Sequence, residues 1–429
     1  MPWAVLGGVP AMTTEYRDWL DRGRTTSRVI DLIKKKSKRF RVVDVHDITA
    51  QRVRPGDRLL FINRDRTVIA VVVGKQPLVK AGARLIGAHI DTPSPQIALS
   101  RLRKKKQTTL RTYRYGGTRW HHYSHMPLAL VGRVARADGR EIDVELGLND
   151  DFALYIAKTG PRLIVSVSST PSAKWPGVSP RTLVAELHKR YGLTPVDLEA
   201  AELFLVPKHK AREVGFGGEL IGAHGQDDRA NSYAAWRAVV DLTDTPRATA
   251  MAWLVDREEE GSSHAAGAQS RFLEMVYAWL IRAQNKPATE ANVARAFARS
   301  VALSADTPAA MNPNWLQVHE EKNAPVLGNG PALFPHTGRG GKKGGSQAHA
   351  ELIASVVDSF KRTKAPLQFG ELGKVDEGGG GTIAKYLAER GMDVVDVGVA
   401  VISMHSPMEI SAKIDIWSAY LGFREWFKQ

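Results

Sequence analysis

Apolar and polar residues alternate with two different periods along the chain. Segment 15–40, EYRDWLDRGRTTSRVIDLIKKKSKRF, spaces its apolar residues as a helix does. The runs RLLFINRDRTVIAVVVG and ARLIGAHID come next and are rich in β-branched residues, which predicts strands. After Gly222, helix-like and strand-like segments alternate up to the closing helix SAYLGFREWFKQ. This order predicts an α/β protein with a parallel or mixed β-sheet sandwiched by helices.

The pattern changes near Thr108, where short strand-like runs replace the helix-like segments. The runs TTLRTYRYGGTRW, ALVGRVARADGREIDVELGL and AELFLVPKHKAREVGF alternate apolar and polar residues. The pair Asp138-Gly139 is typical of a tight hairpin turn. We therefore expect a compact, mostly β insert between two parts of the α/β unit.

Polar residues that could carry out chemistry come directly after several of the strand-like runs. These residues are His89 and Asp91, Asp227 and Asp228, Glu258 and Glu259, Asp306, and His405. A charged carboxylate at the end of a buried strand costs several kcal/mol unless it is paired or bound to a cation. Convergence of these ends therefore predicts a cation site, with zinc or a pair of divalent ions as the simplest occupant.

His89 and Asp91 lie one residue apart, so alternation along a strand places both side chains on the same side. Asp91 can then accept the ring N–H that His89 does not need for a metal, which fixes the imidazole tautomer. The two prolines that follow end the strand. Taken alone, a His-x-Asp triplet is more often structural than catalytic.

Glu258 and Glu259 form an adjacent carboxylate pair after the run AMAWLVD. Such a pair can divide its roles, with one carboxylate binding metal and the other taking a proton from an attacking water. A solvated acidic turn is the alternative for this pair taken alone.

Composition restricts the metal chemistry. The 429 residues include no cysteine, so a metal can be held only by His, Asp and Glu. Lysine and arginine outnumber acidic residues, giving a formal net charge of +15. The excess is concentrated in IKKKSKRFR, RLRKKK and GRGGKKGG, and it does not by itself choose between acidic substrates, nucleic acid and a solvated surface.

We expect a cytoplasmic protein without membrane contact. No run approaches the roughly 18 apolar residues of a membrane helix, and the start MPWAVLGGVPAM lacks the pattern of a signal peptide.

One segment supports an alternative from another class of protein. KKKQTTLRTYRYGGTRWHHY interleaves basic and aromatic residues, as nucleic-acid-binding grooves do. Binding of that kind would weaken steeply with salt and would survive chelation. The same aromatic residues also suit a subunit interface, so nucleic-acid binding is the less favoured hypothesis.

Eight short motifs, in order, resemble those of one known family. They are GAHIDTPSP, RYGGTRW, PLALVGRV, ELIGAHGQDDR, LVDREEEGS, AGAQSRF, ALSADTPAAMNPNW and MHSPME. Together they resemble the M18 aminopeptidases, also called aspartyl aminopeptidases, of the di-zinc exopeptidase clan. The likeness covers nearly the whole chain and is closest to the prokaryotic branch.

The resemblance implies two divalent metal ions, with zinc expected and cobalt or manganese as alternatives. It implies that His89 and Asp306 bind one ion, that Glu259 and His405 bind the other, and that Asp227 bridges both. By the same resemblance, Asp91 supports the first histidine and Glu258 is the general base.

The resemblance also implies the domain organisation and the activity. Residues 1–95 and 218–429 would form the proteolytic domain, and residues 96–217 an inserted dimerisation domain. The enzyme would remove N-terminal residues, Asp or Glu among them, from peptides by attack of a water that bridges the metal ions. Family members form tetrahedral dodecamers built from dimers. A related di-metal aminopeptidase of the M42 type, with broader specificity, is the alternative.

The chain departs from the family pattern near the substrate. Ala309 and Asn312 replace two histidines of many relatives, and the segment LNDDFALYIAKTG lacks the histidine that relatives contribute from the insert. His121, His122 or His125 could supply that histidine, although surface or interface roles are more common for such residues. The segment GRGGKKGGSQAHAE also differs, but its cations Arg339, Lys342 and Lys343 could meet an acidic substrate side chain.

Overall fold

The computed structural model describes residues 7–47, 49, 52–97, 109–150, 152–156, 164–166, 183–338, 345–370, 374 and 377–429. The helices within these ranges are α1 (Val9–Arg22), α2 (Thr26–Lys36), α3 (Leu78–Ala81), α4 (Leu183–Tyr191), α5 (Gln226–Val240), α6 (Phe272–Ala283), α7 (Glu290–Ala298), α8 (Ala350–Thr363), α9 (Ala384–Ala388) and α10 (Lys413–Lys428). None of these helices combines the length and the apolar character needed to cross a membrane.

The strands within the same ranges are β1 (Arg41–Val43), β2 (Arg58–Asn63), β3 (Thr67–Val72), β4 (Ala83–His89), β5 (Pro95–Ile97), β6 (Thr109–Arg114), β7 (Leu128–Ala135), β8 (Glu141–Leu146), β9 (Tyr155–Ile156), β10 (Ile164–Ser166), β11 (Ala201–Pro207), β12 (Arg212–Val214), β13 (Leu220–Ala223), β14 (Thr249–Val255), β15 (Val301–Ser304), β16 (Ala332–Phe334), β17 (Gln368–Phe369), β18 (Asp393–Gly398) and β19 (Glu409–Ala412).

The largest sheet has nine strands in the order β1-β2-β3-β14-β4-β15-β18-β16-β17. Strands β14, β4, β15 and β18 run parallel to one another, whereas β3 and β16 are antiparallel to their neighbours β14 and β18. The sheet is therefore mixed, as the sequence predicts. Every residue of β3 and of β14 is buried, because both faces of the sheet are covered.

Alternate strand residues enter two separate cores, one on each face of the sheet. Leu60 packs into the core of α1, α5, α8 and α10, and its neighbour Phe61 packs into the core of α6 and α7. On the first face, the rings of Trp19 and Trp236 stack with centroids 5.0 Å apart, which attaches α1 to α5. This packing confirms the predicted arrangement of a sheet between helices, and it holds α5 against the sheet.

Segment 15–40 forms two helices rather than one continuous helix. Helix α1 ends at Arg22, and α2 begins at Thr26 after Thr25, whose side chain accepts a hydrogen bond from the Arg28 N–H. A Cβ at Gly23 would lie only 2.7 Å from the carbonyl oxygen of Trp19, so the close turn between the helices requires glycine. Helical periodicity continues across the break, which is why the pattern alone does not show it.

A second sheet forms the centre of the predicted insert. Its seven strands have the order β8-β7-β11-β5-β6-β10-β9 and enclose their own apolar core. The predicted hairpin is present, since β7 and β8 pair antiparallel on either side of Asp138-Gly139. Strand β12 lies within residues 96–217, but it pairs with β13, which in turn pairs with β19 near the C-terminus.

Candidate metal centre

Three parallel strands bring most of the candidate residues to one edge of the large sheet. His89 is the last residue of β4 and lies opposite Val255, the last residue of β14. Ser304, the last residue of β15, lies opposite Gly87 of β4. The residues that follow these strands, among them Glu258 and Asp306, therefore meet at the carboxyl edge of the sheet, where α/β proteins place their sites.

The imidazole of His89 is buried between two aspartates. Its Nδ1 lies 3.1 Å from the carbonyl oxygen of Asp91 and 3.3 Å from the Asp91 carboxylate. Its Nε2 lies 3.2 Å from Oδ1 of Asp227. A hydrogen bond from Nδ1–H to Asp91 leaves Nε2 as the atom with a free lone pair, directed into the cluster.

Asp227 lies between the two histidines of the cluster. Its Oδ1 faces His89, and its Oδ2 lies 3.2 Å from Nε2 of His405. Asp227 belongs to the first turn of α5, which follows β13, and His405 lies in the loop between β18 and β19. One carboxylate thus contacts imidazoles that are far apart in sequence, which is the geometry of a bridging ligand.

Two further carboxylates each approach one of these histidines. Glu259 Oε1 lies 3.2 Å from His405 Nε2, and Asp306 Oδ1 lies 3.7 Å from His89 Nε2. Possible ligand atoms of His89, Glu258 and Asp306 all lie within 4.8 Å of one another, as do those of His89, Asp227 and Glu259. The fold therefore brings together every metal-ligand candidate and the candidate base that the sequence singles out.

Asp91 has a second set of contacts that the sequence does not reveal. The backbone N–H groups of Glu258 and Glu259 donate to Asp91 Oδ1 and Oδ2, each at 3.2 Å. One buried carboxylate therefore positions both His89 and the turn that carries the glutamate pair.

The inserted sheet contributes to the site through the segment RYGGTRW. The hydroxyl of Tyr115 donates to Asp91 Oδ2 at 2.7 Å. A Cβ at Gly117 would lie 2.2 Å from Nδ1 of His405, so the backbone packs against that imidazole only because residue 117 is glycine. The insert thus supports the metal centre from one side, which explains why its glycine and tyrosine belong to a motif.

Two buried acids next to the candidate ligands have roles that the sequence did not predict: Glu409, which was not a candidate, and Asp228, which was named without a role. Glu409 accepts hydrogen bonds from the backbone N–H of Asp227, at 3.0 Å, and of His405, at 2.7 Å. Asp228 accepts from the backbone N–H of His89 at 3.0 Å. Both acids lie close to a candidate ligand in the sequence, within the motifs QDDR and MHSPME. This proximity is the sequence feature that could have identified them.

Burial, together with crowding of the carboxylates, raises several pKa values in the cluster. Burial, reinforced by the charge of Asp306, raises the pKa of Glu258 well above its usual range. Burial likewise raises the pKa of Asp306 to about 7, although His89 opposes the shift. Burial lowers the pKa of His405, but its contacts with Asp227 and Glu259 outweigh this and raise it to about 11. This excess of buried negative charge fits a bound cation, and the nitrogen and oxygen donors suit zinc.

A cavity of about 260 Å³ opens beside the cluster. Its wall away from the candidate ligands includes Phe334, Thr337, Thr382, Asp396 and Met404. Thr337 and Thr382 both donate their hydroxyls to the buried Asp396 carboxylate, at 3.1 and 2.6 Å. The cavity is large enough for the first side chain of a peptide.

The other sequence candidates do not line this cavity within the described residues. His121 and His122 lie in a short 3-10 helix of the insert, and His125 follows it. Ala309 forms an isolated bridge with Val401, next to the site. Arg339, Lys342 and Lys343 lie outside the described residues.

The fold is a mixed β-sheet between helices, and histidines and carboxylates cluster at the ends of its parallel strands. This arrangement is typical of metal-dependent enzymes. The family model described as Aminopeptidase I zinc metalloprotease (M18) matches residues 19–155 and 170–427. The chain belongs to the M18 family of aminopeptidases. It is therefore a zinc metalloprotease that hydrolyses peptide bonds.

Individual relatives agree with this assignment. A protein of Borrelia garinii subsp. bavariensis described as "Probable M18 family aminopeptidase 1" is 32% identical, over 96% of this chain and 95% of the relative. The crystal structure of an M18 aminopeptidase from Thermotoga maritima has a TM-score of 0.88 at 31% identity, and the match covers 98% of this chain and 96% of that one. The S. cerevisiae mApe1 dodecamer shares the fold, with a TM-score of 0.78 at 22% identity over 97% of this chain and 96% of that one.

Replacement of Glu409 tests whether its hydrogen bonds to the backbone of Asp227 and His405 support the metal centre. Glu409→Gln keeps the side-chain shape but places an NH2 group against a backbone N–H, so we expect zinc affinity to fall by about 10- to 100-fold. Zinc retained after dialysis against graded chelator, measured by elemental analysis, checks this. The exposed Glu219→Gln should retain zinc as the unaltered protein does. Equal retention in both variants would contradict a supporting role for Glu409.

Proposed function

We propose that the chain is an aminopeptidase that holds two zinc ions around Asp227. The observation that carries this proposal is the Asp227 carboxylate, whose two oxygens face Nε2 of His89 and Nε2 of His405, each at 3.2 Å. In this assignment His89 and Asp306 complete one ion's ligand set, and Glu259 and His405 complete the other's. When bound, zinc supplies a Lewis acid that polarises the scissile carbonyl and lowers the pKa of the attacking water.

The two neighbouring glutamates divide their roles in this proposal. Glu259 faces His405, whereas Glu258 lines the cavity without being needed as a ligand. The backbone N–H of Glu258 is held by Asp91, so its carboxylate projects from a fixed turn. Glu258 is therefore the group that accepts a proton from the attacking water and passes it to the leaving amine.

The side chain of the substrate's first residue would enter the cavity between Phe334 and Met404. Within the described residues, the cavity wall contains no lysine or arginine, and Asp396 adds a carboxylate. Arg339, Lys342 and Lys343 follow Thr337, a residue of this wall, in the sequence. We propose that these cations provide whatever acidic preference the enzyme has.

We further propose that the insert, residues 96–217, pairs two chains and that dimers assemble into a tetrahedral dodecamer. The insert has its own sheet and its own core, as a module for association would. The similar S. cerevisiae protein is a dodecamer. An enclosed particle in the cytoplasm, the predicted location, would admit small or unfolded peptides and exclude folded proteins.

Glu258→Gln separates the base from metal binding. We expect zinc content to remain and kcat on N-terminal amino-acid anilides to fall by roughly 10²- to 10⁴-fold. The exposed neighbour Glu260→Gln should retain most activity. Chelator-treated unaltered protein should lose activity and regain it with zinc. Near-normal turnover by Glu258→Gln would move the base elsewhere, and activity indifferent to chelation would exclude the metallopeptidase mechanism.

The acidic preference is tested with a panel of peptides that differ only in the first residue. Lys342→Gln combined with Lys343→Gln should lower kcat/KM for first-residue Asp and Glu by about tenfold per lost charge-assisted contact and leave neutral residues unaffected. Lys374→Gln, whose lysine pairs with Glu377 at 3.3 Å, is the matched control. An unchanged ratio of acidic to neutral substrates would remove these lysines from the specificity site.

Light scattering tests the assembly. We expect a particle with about twelve times the 47.1 kDa mass of one chain. A dimer would contradict the dodecamer while leaving the pairing of chains, and a monomer would contradict both parts of the proposal.

A further inference from the structure

A smaller cavity, of about 40 Å³, shares Asp91 with the metal centre but lies among basic residues. Five arginines and three carboxylates line it. Most of these arginines have acidic partners: Arg133 pairs with Asp143 at 2.8 Å, and Arg66 and Arg257 both pair with Glu202. Arg24 pairs with Asp21 at 3.2 Å, so four of the five arginines have an acidic partner.

Arg229 is the cation in this wall without an acidic partner in the described part of the chain. It is 1% exposed, and its Nη2 donates to the carbonyl oxygen of Arg24 at 3.3 Å. Its Nε and Nη1 have no hydrogen-bond acceptor among the described residues. Buried donors without an acceptor are costly, so these two donors call for an acceptor in the cavity.

The amino end of α2 forms another part of the same wall. Thr25, Thr26 and Ser27, which cap and begin this 11-residue helix, all line the cavity. The first N–H groups of a helix have no partner within the helix, and the helix dipole adds partial positive charge there. A buried guanidinium and a helix N-terminus facing one small cavity are a combination that binds anions.

The charges of Glu409 and Asp91 act on Arg229, but neither acid accepts a hydrogen bond from its Nε or Nη1. Both oxygens of Asp91 already accept hydrogen bonds, from Tyr115 and from the backbone of the glutamate turn. Asp256 accepts from the Thr26 hydroxyl at 2.9 Å and forms no ion pair with Arg229. Nε and Nη1 of Arg229 therefore still lack an acceptor.

We propose that Arg229 and the first turn of α2 bind one small monovalent anion of the chloride class. The cavity has room for one halide ion. A water molecule would also accept from these donors, but the guanidinium and the helix dipole together favour an acceptor with negative charge. The anion holds Arg229 in place, and Arg229 is only two residues from Asp227, so occupancy stabilises the support of the metal centre.

Bromide replaces chloride in the decisive experiment, because its anomalous scattering identifies it. Crystals of the zinc-loaded full chain soaked in bromide should show an anomalous peak within hydrogen-bond distance of Nε or Nη1 of Arg229. A cavity with ordered water and no bromide peak would overturn the proposal, whether or not any variant folds.

Thermal unfolding in solution provides the second measurement. At constant ionic strength, replacing gluconate with chloride should raise the melting temperature in a saturable manner, since a ligand of the folded state stabilises it. Arg229→Gln should lose this response. The control Arg390→Gln, which breaks a satisfied 3.0 Å pair with Glu274 elsewhere, should keep it. An equal chloride response in Arg229→Gln and the unaltered protein would contradict the proposed site.

Discussion

Burial of several carboxylates within a few ångströms of one another is the constraint that shapes this site. Asp227, Glu258, Glu259 and Asp306 meet at one edge of the sheet, where little water is available to screen their charges. Protons or cations must balance such a cluster. Burial and the neighbouring carboxylates raise the pKa values of Glu258 and Asp306, and a bound zinc ion would offset both effects. Metal binding and stability of the folded site are therefore expected to be coupled.

The same constraint explains why the supporting residues are so extensively hydrogen-bonded. Asp91, Asp228 and Glu409 each accept backbone N–H groups of residues in the cluster. These acids fix the backbone that carries the candidate ligands, so the ligand side chains keep their positions although their charges repel one another. Tyr115 extends this support to the inserted sheet, which links the environment of the metal centre to the module proposed for pairing chains.

Much of this organisation could be predicted from the period of the apolar residues and from the polar residues at strand ends. The mixed sheet, the β-rich insert and the convergence of His89, Asp227 and His405 all follow from apolar runs that end in polar residues. The break between α1 and α2 was not accessible, because helical periodicity continues across Gly23. The roles of Glu409 and Asp228 were also missed, because their partners are backbone N–H groups, which leave no pattern in the side chains.

The residue types limit the possible metal donors, because without cysteine only imidazoles and carboxylates can hold a metal, and their places after apolar runs assign them to strand ends. Which of these donors face one another depends on the folded chain. The strand order places β14 and β15 on either side of β4, and the loop of His405 turns back onto Asp227. Contacts between residues more than a hundred positions apart depend on how the sheet is ordered and packed, and local patterns carry no information about that order.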